Sequence, residues 1–120
     1  MENGSVRFGR RVQTHNAVIA GIDYVTAHSN EIDVVNLSFG CECSSPALDA
    51  AINNAVEAGI VFVVAAGNDK KDADTFSPAK NPNVIAVSAI ADSDGKCGGQ
   101  GPATKYGADD TLASFSNYGD

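Results

Sequence analysis

The residue with the clearest chemical potential is Asn68, which directly follows a run of apolar residues and three small ones. The run from Ile60 to Ala65 is apolar throughout, and Ala65, Ala66 and Gly67 carry almost no side chain. The small residues let another backbone lie close, and the amide of Asn68 can donate two hydrogen bonds. Ligands of open α/β sheets bind at the carboxyl ends of strands. We therefore expect the chemistry of this chain at Asn68.

The apolar run itself predicts a strand of a parallel sheet. Val61 to Val64 are β-branched or aromatic, and glycines stand near both ends of the run. An unbroken apolar run of this kind is typical of a strand buried on both faces. A buried helix is the alternative, but the run is short for a helix and rich in Val. We expect both faces of this strand to be buried.

A second strand and a helix precede this run. Ile32 to Ser38 predicts a short strand. Ser45 suits the N-cap of the following helix, Pro46 its first position, and Gly59 the residue after its end. Strand, helix and strand together form a βαβ unit with parallel strands. The segments Ser38-Phe39-Gly40 and Gly67-Asn68 should then lie at the same edge of the sheet.

The remaining elements are shorter or less regular. Residues 16–28 predict a helix, residues 84–90 a third strand of undecided direction, and residues 111–115 a short strand. We expect an α/β fold, a three-layer fragment with a mostly parallel sheet. Residues 1–120 divide into an exposed lead-in (1–13), an α/β core (14–90), and an irregular loop with a short strand (91–120).

Charge and composition exclude several functions. The 120 residues have a net charge of -7 and 43% hydrophobic residues. An acidic chain repels phosphate backbones, so we expect no nucleic-acid partner. No apolar run approaches the roughly 20 residues of a membrane helix, so we expect no membrane partner. The first residues lack the basic start and apolar core of a signal peptide, which indicates a cytosolic protein or an excised fragment.

The cysteines and histidines leave alternatives open. Cys41, Cys43 and Cys97 are an odd number, so at least one thiol is unpaired within the chain. A disulfide to Cys97 or to a partner outside these residues, free thiols, and a metal site are the three alternatives. His15 and His28 flank the predicted helix, where a surface position is a simpler interpretation than a catalytic base.

Two further motifs are weak. The segment around Ser38 lacks the first glycine of G-x-S-x-G, and no helix follows it at once, so a strand end is a better interpretation than a nucleophile. Asp92-Ser93-Asp94-Gly95 begins like a calcium loop, but the later ligands are missing and a plain turn is favoured. We therefore expect no metal site in these residues.

Several segments in order resemble the middle of a subtilisin-like serine protease. These are VVNLSFG, AVEAGIVFVVAAGND, SPAKNPNVIAVSAI and ASFSNYG, spread between Gly21 and Gly119. The resemblance implies a partial subtilisin-like fold and cleavage of peptide bonds through a serine acyl-enzyme. It also implies a polypeptide substrate, secretion, and no cofactor within these residues, with calcium in the parent protein left open.

The resemblance also implies roles for individual residues. Asn68 corresponds to the asparagine of the oxyanion hole. Ser38-Phe39-Gly40 resembles the strand that pairs with the substrate, and Ala65-Ala66-Gly67 one wall of the pocket for the residue before the scissile bond. The Asp, His and Ser motifs of the family triad are absent from the 120 residues, so the chain is expected to be inactive as given, a central piece of a catalytic domain.

Two other hypotheses belong to different functional classes. One is a stand-alone α/β binding module, and the other is a pseudoenzyme that binds peptides by strand addition along Ser38-Phe39-Gly40. The strand at Val34–Ser38 is also expected to lack a neighbour on one side. Since an unpaired apolar edge recruits other chains, we expect self-association through it.

Overall fold

The chain alternates helices with short strands. The computed structural model describes residues 8–119, and side chains from residue 15 to residue 119. The elements in chain order are α1 (Phe8–Ala27), β1 (Val34–Leu37), α2 (Pro46–Glu57), β2 (Val61–Ala65), a 3-10 turn (Ala73–Thr75), β3 (Ile85–Val87), β4 (Ile90–Ala91) and β5 (Thr111–Leu112).

The main sheet contains β1, β2 and β3 in that order, all parallel. Leu37 pairs with Val64, and Ala65 pairs with Val87. The predicted βαβ unit is confirmed, and the direction of the third strand is settled as parallel. That strand is shorter than expected, because Ile90 leaves the main sheet and pairs with Leu112 in a separate antiparallel pair.

Helix α2 begins and ends where its sequence signals place it. Ser45 occupies the N-cap position and Pro46 begins the helix, although the Ser45 side chain makes no capping hydrogen bond. Gly59 follows the helix with a φ of 98°, a left-handed conformation that glycine adopts without strain. Leu48 and Ile52 from this helix are buried in the core.

Helix α1 is longer than the sequence pattern indicates. It begins at Phe8 rather than near Asn16, so the predicted lead-in 1–13 is helical from residue 8 onward. The segment from Arg10 to Gln13 contains no proline and has ordinary helix propensity, which permits the extension despite Gly9. The remainder of the predicted lead-in, residues 1–7, lies outside the described residues.

The core lies on one face of the sheet. Phe62 and Val64 pack in one cluster with residues of both helices. The opposite face exposes Val61 (45% exposed) and Ile85 (55% exposed). Burial of β2 on both faces is therefore wrong for residues 8–119, since α1 and α2 cover the same face. The α/β class with a parallel sheet is confirmed, and two of the three expected layers are described.

The cysteines pair in a way that none of the sequence alternatives included. Cys41 and Cys43 form a disulfide with their Cα atoms 5.2 Å apart, a usual separation for a bridge. A tight turn brings them together, because the Cys43 N–H donates to the Cys41 carbonyl at 2.8 Å. Cys97 is an exposed free thiol.

Candidate functional site

A cleft opens where β1 and β2 end. The parallel register makes Ser38 and Ala65 leave the sheet at the same edge, as the βαβ pattern predicted. The cleft has a volume of about 280 Å³. All seven residues singled out from the sequence line it, together with two others: Ser38, Phe39, Gly40, Ala65, Ala66, Gly67, Asn68, Asp69 and Phe76.

The first wall of the cleft continues from β1. Ser38, Phe39 and Gly40 are exposed. The next residue, Cys41, exchanges two backbone hydrogen bonds with Ser77, at 3.0 and 2.9 Å, and this anchors the wall. A Cβ atom on Gly40 would lie 3.0 Å from the Ser77 carbonyl oxygen, so only glycine fits here without a shift.

The Ser38 hydroxyl does not have the surroundings of a nucleophile. It accepts a hydrogen bond from the Asn36 side-chain amide at 2.8 Å. Among the described residues, no serine hydroxyl is hydrogen-bonded to a histidine. His28 Nδ1 lies 2.7 Å from the Tyr24 carbonyl oxygen, and His15 Nε2 lies 3.8 Å from Cys41 Sγ. The strand-end interpretation of Ser38 agrees with this geometry.

The second wall continues from β2. The buried Ala66 donates its N–H to the Val87 carbonyl at 3.0 Å, which extends the pairing of β2 with β3. Gly67 then turns the chain with a φ of 112°. Asn68 follows on the exposed side of this turn and lines the cleft. The sharp turn after β2 thus places Asn68 at the cleft.

An ion pair connects the two rims of the cleft. Lys71, three residues after Asn68, donates to the carboxylate of Glu42, which follows the first wall. This hydrogen bond raises the pKa of Lys71 above its usual value; desolvation opposes the shift, and the nearby charges of Glu42 and Asp69 add to it. Both partners are half exposed, so the pair contributes little to the stability of the fold.

Sequence reasoning missed two residues of this region. Phe76 is buried and lines the cleft. It is the single aromatic residue of the polar stretch 70–83, immediately before Ser77-Pro78, and that isolation was the available signal. Asn117 is buried beneath the loop that carries Asn68. No local pattern marks it, because all of its partners in that loop are distant in sequence.

Two clusters of the described residues contain groups that can ligate a metal ion. In one cluster, His15 lies beside Cys41 and Cys43, whose sulfurs form the disulfide. The other cluster is Asp92, Asp109 and Asp110, in which each carboxylate accepts N–H groups of its own loop. The turn predicted at Asp92 agrees with its hydrogen bonds from the backbone of residues 94 and 95.

Asp109 organises the irregular stretch 91–110. Its carboxylate accepts the N–H groups of Ser93 at 2.9 Å and Gly101 at 2.7 Å, and the Ser93 hydroxyl at 3.0 Å. The two backbone hydrogen bonds and the hydroxyl bond lower the pKa of Asp109 and outweigh the opposing effect of desolvation. One buried carboxylate thus holds together a loop that otherwise lacks regular structure.

The arrangement around the cleft suits one kind of chemistry. An exposed backbone segment can bind an extended chain, and an amide at a strand end can stabilise a negatively charged oxygen. In the described part of the chain, no helix combines the length and the apolar character needed to cross a membrane.

Comparisons with known proteins agree on one family. The model of the subtilase family matches residues 4–120. An extracellular serine proteinase of Thermus sp. strain Rt41A is 41% identical over 106 residues, which cover 88% of this chain and 22% of that protein. A thermophilic serine proteinase of Bacillus sp. strain AK1 is 41% identical over 95 residues, which cover 79% of this chain and 20% of that protein.

A solved structure of a similar protein indicates the same family. The crystal structure of a cold-adapted subtilisin-like serine proteinase matches with a TM-score of 0.68 and 33% identity. The match covers 88% of this chain and 33% of that one. This chain therefore spans about a fifth of the length of the two curated relatives and a third of the solved structure.

Proposed function

Because the chain belongs to the subtilase family, we propose that its cleft is one part of the active site of a serine endopeptidase. In this proposal Asn68 donates to the oxyanion, Ser38-Phe39-Gly40 binds the substrate backbone, and Ala65-Ala66-Gly67 forms a wall of the pocket for the residue before the scissile bond. The substrate is a polypeptide. Secretion is part of the proposal, supported by a relative that is named as an extracellular proteinase.

One observation gives this proposal its strongest support. The parallel pairing of β1 with β2 brings the two strand ends to one cleft, and every proposed substrate-binding residue lines it together with Asn68. These segments are separated in sequence by the whole of α2. A cleft lined from both strand ends is the arrangement that an extended substrate and an oxyanion donor require together.

The chemistry follows from the position of Asn68. Attack on a peptide carbonyl converts its oxygen into an anion, and a donor already in place stabilises that charge without reorganising. The described hydrogen bonds engage the amide of Asn117 but not that of Asn68, so the Asn68 donor is available to a ligand. The role proposed for these residues uses amide donors and backbone groups, and it requires no cofactor.

The oxyanion role is tested by Asn68→Ala in the complete enzyme that carries these residues. Removal of one such donor in a subtilisin lowers kcat by about 10²–10³-fold, a known value that we adopt as the expectation. Asn68→Asp is the matched variant, since it keeps the size but replaces the donor with a carboxylate. Steady-state kinetics on a chromogenic peptide should show a fall in kcat for both variants. An unchanged kcat in Asn68→Ala would overturn the role.

The 120 residues by themselves are proposed to be inactive, since their sequence contains none of the family's triad motifs. The same chromogenic peptide, incubated with the purified 120-residue chain, should show no turnover above buffer. Turnover that a serine-directed inhibitor abolishes would contradict this part of the proposal.

A second candidate function is peptide binding without catalysis, as a pseudoenzyme or a binding module. The exposed segment Ser38-Phe39-Gly40 beside the edge strand β1 favours it, because strand addition needs such an edge. Fluorescence anisotropy with a labelled extended peptide would measure this binding. Binding that survives in a complete polypeptide while turnover is absent would favour the second candidate over the first.

A further inference from the structure

Asn117 lies beneath the loop that carries Asn68 and has no exposed surface. Its side-chain Oδ1 accepts the N–H of Asp69 at 2.9 Å and the N–H of Lys71 at 3.1 Å. Its Nδ2 donates to the Ala66 carbonyl at 2.9 Å. One side chain therefore binds the backbone on both sides of Asn68.

The backbone of Asn117 adds to this support. Its N–H donates to the Gly67 carbonyl at 2.9 Å. Its own carbonyl accepts the hydroxyl of Ser88 at 2.9 Å, which fixes Asn117 to the segment after β3, and the hydroxyl of the adjacent Ser116 at 2.9 Å. The partners in the loop are residues 66, 67, 69 and 71, so they surround Asn68 without including it.

We propose that Asn117 is a positioning residue for the proposed oxyanion donor. It holds the loop 66–71 so that the Asn68 amide stays directed into the cleft, and it does not itself contact substrate. This inference rests on the proposed function. A preorganised donor is effective because it does not move during the reaction, and a displacement of about 1 Å can lower a rate by about 10²-fold.

A buried asparagine also stabilises the fold. The test of Asn117 therefore needs a control substitution that removes a buried asparagine away from the loop. Asn81 is buried as well, and its side chain bonds Asp49, Asn53 and the N–H of Asn83. It does not line the cleft. Asn81→Ala therefore removes comparable hydrogen bonds elsewhere in the core, whereas Asn117→Ala removes those that hold the loop.

The first measurement is amide hydrogen exchange by NMR on the 120-residue chain. In Asn117→Ala, the amides of Asp69 and Lys71 should lose about tenfold to hundredfold more protection than those of β2. Asn81→Ala should show no such difference. A uniform loss over the loop and β2 in Asn117→Ala would overturn the inference, as would unchanged protection.

The second measurement is the kinetics of the complete enzyme. Asn117→Ala should lower kcat by about tenfold to hundredfold with KM nearly unchanged, and Asn81→Ala should leave kcat unchanged. Adding Asn68→Ala to Asn117→Ala should give the kcat of Asn68→Ala alone, because the two residues act through one donor. Additive losses would overturn the inference.

These experiments separate the two proposals. If Asn68→Ala leaves kcat unchanged, the oxyanion role fails, while hydrogen exchange still reports whether Asn117 fixes the loop. If Asn68→Ala lowers kcat but Asn117→Ala does not, the positioning inference fails and the proposed function stands.

Discussion

Gly67 and Asn117 lie in direct contact, with the Asn117 N–H donating to the Gly67 carbonyl at 2.9 Å. A Cβ atom on Gly67 would overlap the Asn117 side-chain amide, and its φ of 112° already disfavours any other residue. We expect Gly67→Ala to lower the free energy of unfolding by about 3 kcal/mol or more, from strain and overpacking together. Urea denaturation followed by circular dichroism measures this.

Gly21→Ala is the control for that experiment. Gly21 lies within helix α1, and a Cβ atom there would meet nothing within 4 Å. Alanine at an exposed helix position stabilises by about 0.5–1 kcal/mol relative to glycine. A destabilisation by Gly67→Ala no larger than the change in Gly21→Ala would contradict the contact with Asn117.

Two valines of β2 test whether the core lies on one face of the sheet. Val64 is 1% exposed and packs on the helices, whereas Val61 is 45% exposed on the open face. Val64→Ala should destabilise the 120-residue chain by about 2–3 kcal/mol, since it removes two buried methyl groups and leaves a cavity. Val61→Ala should change it by about 1 kcal/mol or less. Equal losses in denaturant titrations would show that the second face is also buried.

The lowered pKa of Asp109 predicts a pH dependence of stability. Because the folded pKa lies below the unfolded value of about 3.9, the carboxylate stabilises the fold fully above that value. The stabilisation is lost as the pH falls through the folded pKa. The difference in unfolding free energy between wild type and Asp109→Asn should therefore be largest at neutral pH and shrink below about pH 4.

A series of urea titrations from neutral pH to about pH 2.5 measures that difference. Ser93→Ala is the companion variant, since it removes the hydroxyl donor and leaves both backbone donors to Asp109 in place. It should show a smaller dependence on pH than Asp109→Asn. A constant difference across the series would exclude Asp109 as the titrating group.

The edge strand β1 predicts self-association of the 120-residue chain. In the described sheet, β1 pairs with β2 on one side only, and its Val34 is 59% exposed. An apolar edge recruits other chains, and a lysine on it prevents such pairing. Light scattering should show a mass that rises with concentration in the wild type, and a monomer in Val34→Lys. A wild-type monomer at every concentration would refute this.

The sequence predicted those features that depend on neighbouring residues. The apolar run of β2, the proline at the start of α2 and the glycine after it are local signals, and they determined the βαβ unit. Parallel strands then required Ser38 and Asn68 to lie near one another. The cleft residues could be identified because small residues and an amide directly follow a strand.

Other features depended on contacts between distant residues. Phe76 and Asn117 support the cleft from segments without a repeating pattern, so their burial became visible only in three dimensions. The sequence of β2 could not predict that one of its faces is exposed. Val61 and Val64 are both valines, and only their surroundings in the fold differ. The pairing of Cys41 with Cys43 depends on a turn that no rule about cysteine spacing indicated.

The support that Asn117 gives to Asp69 spans 48 residues of chain. A ribosome makes a protein from its amino terminus, so β2 and its loop are synthesised well before the asparagine that fastens them. During translation the cleft therefore lacks its support until residue 117 has left the exit tunnel, even when the βαβ unit has already formed. Within the described residues, the cleft proposed to act on peptide bonds is in this way held together by a contact that forms late in synthesis.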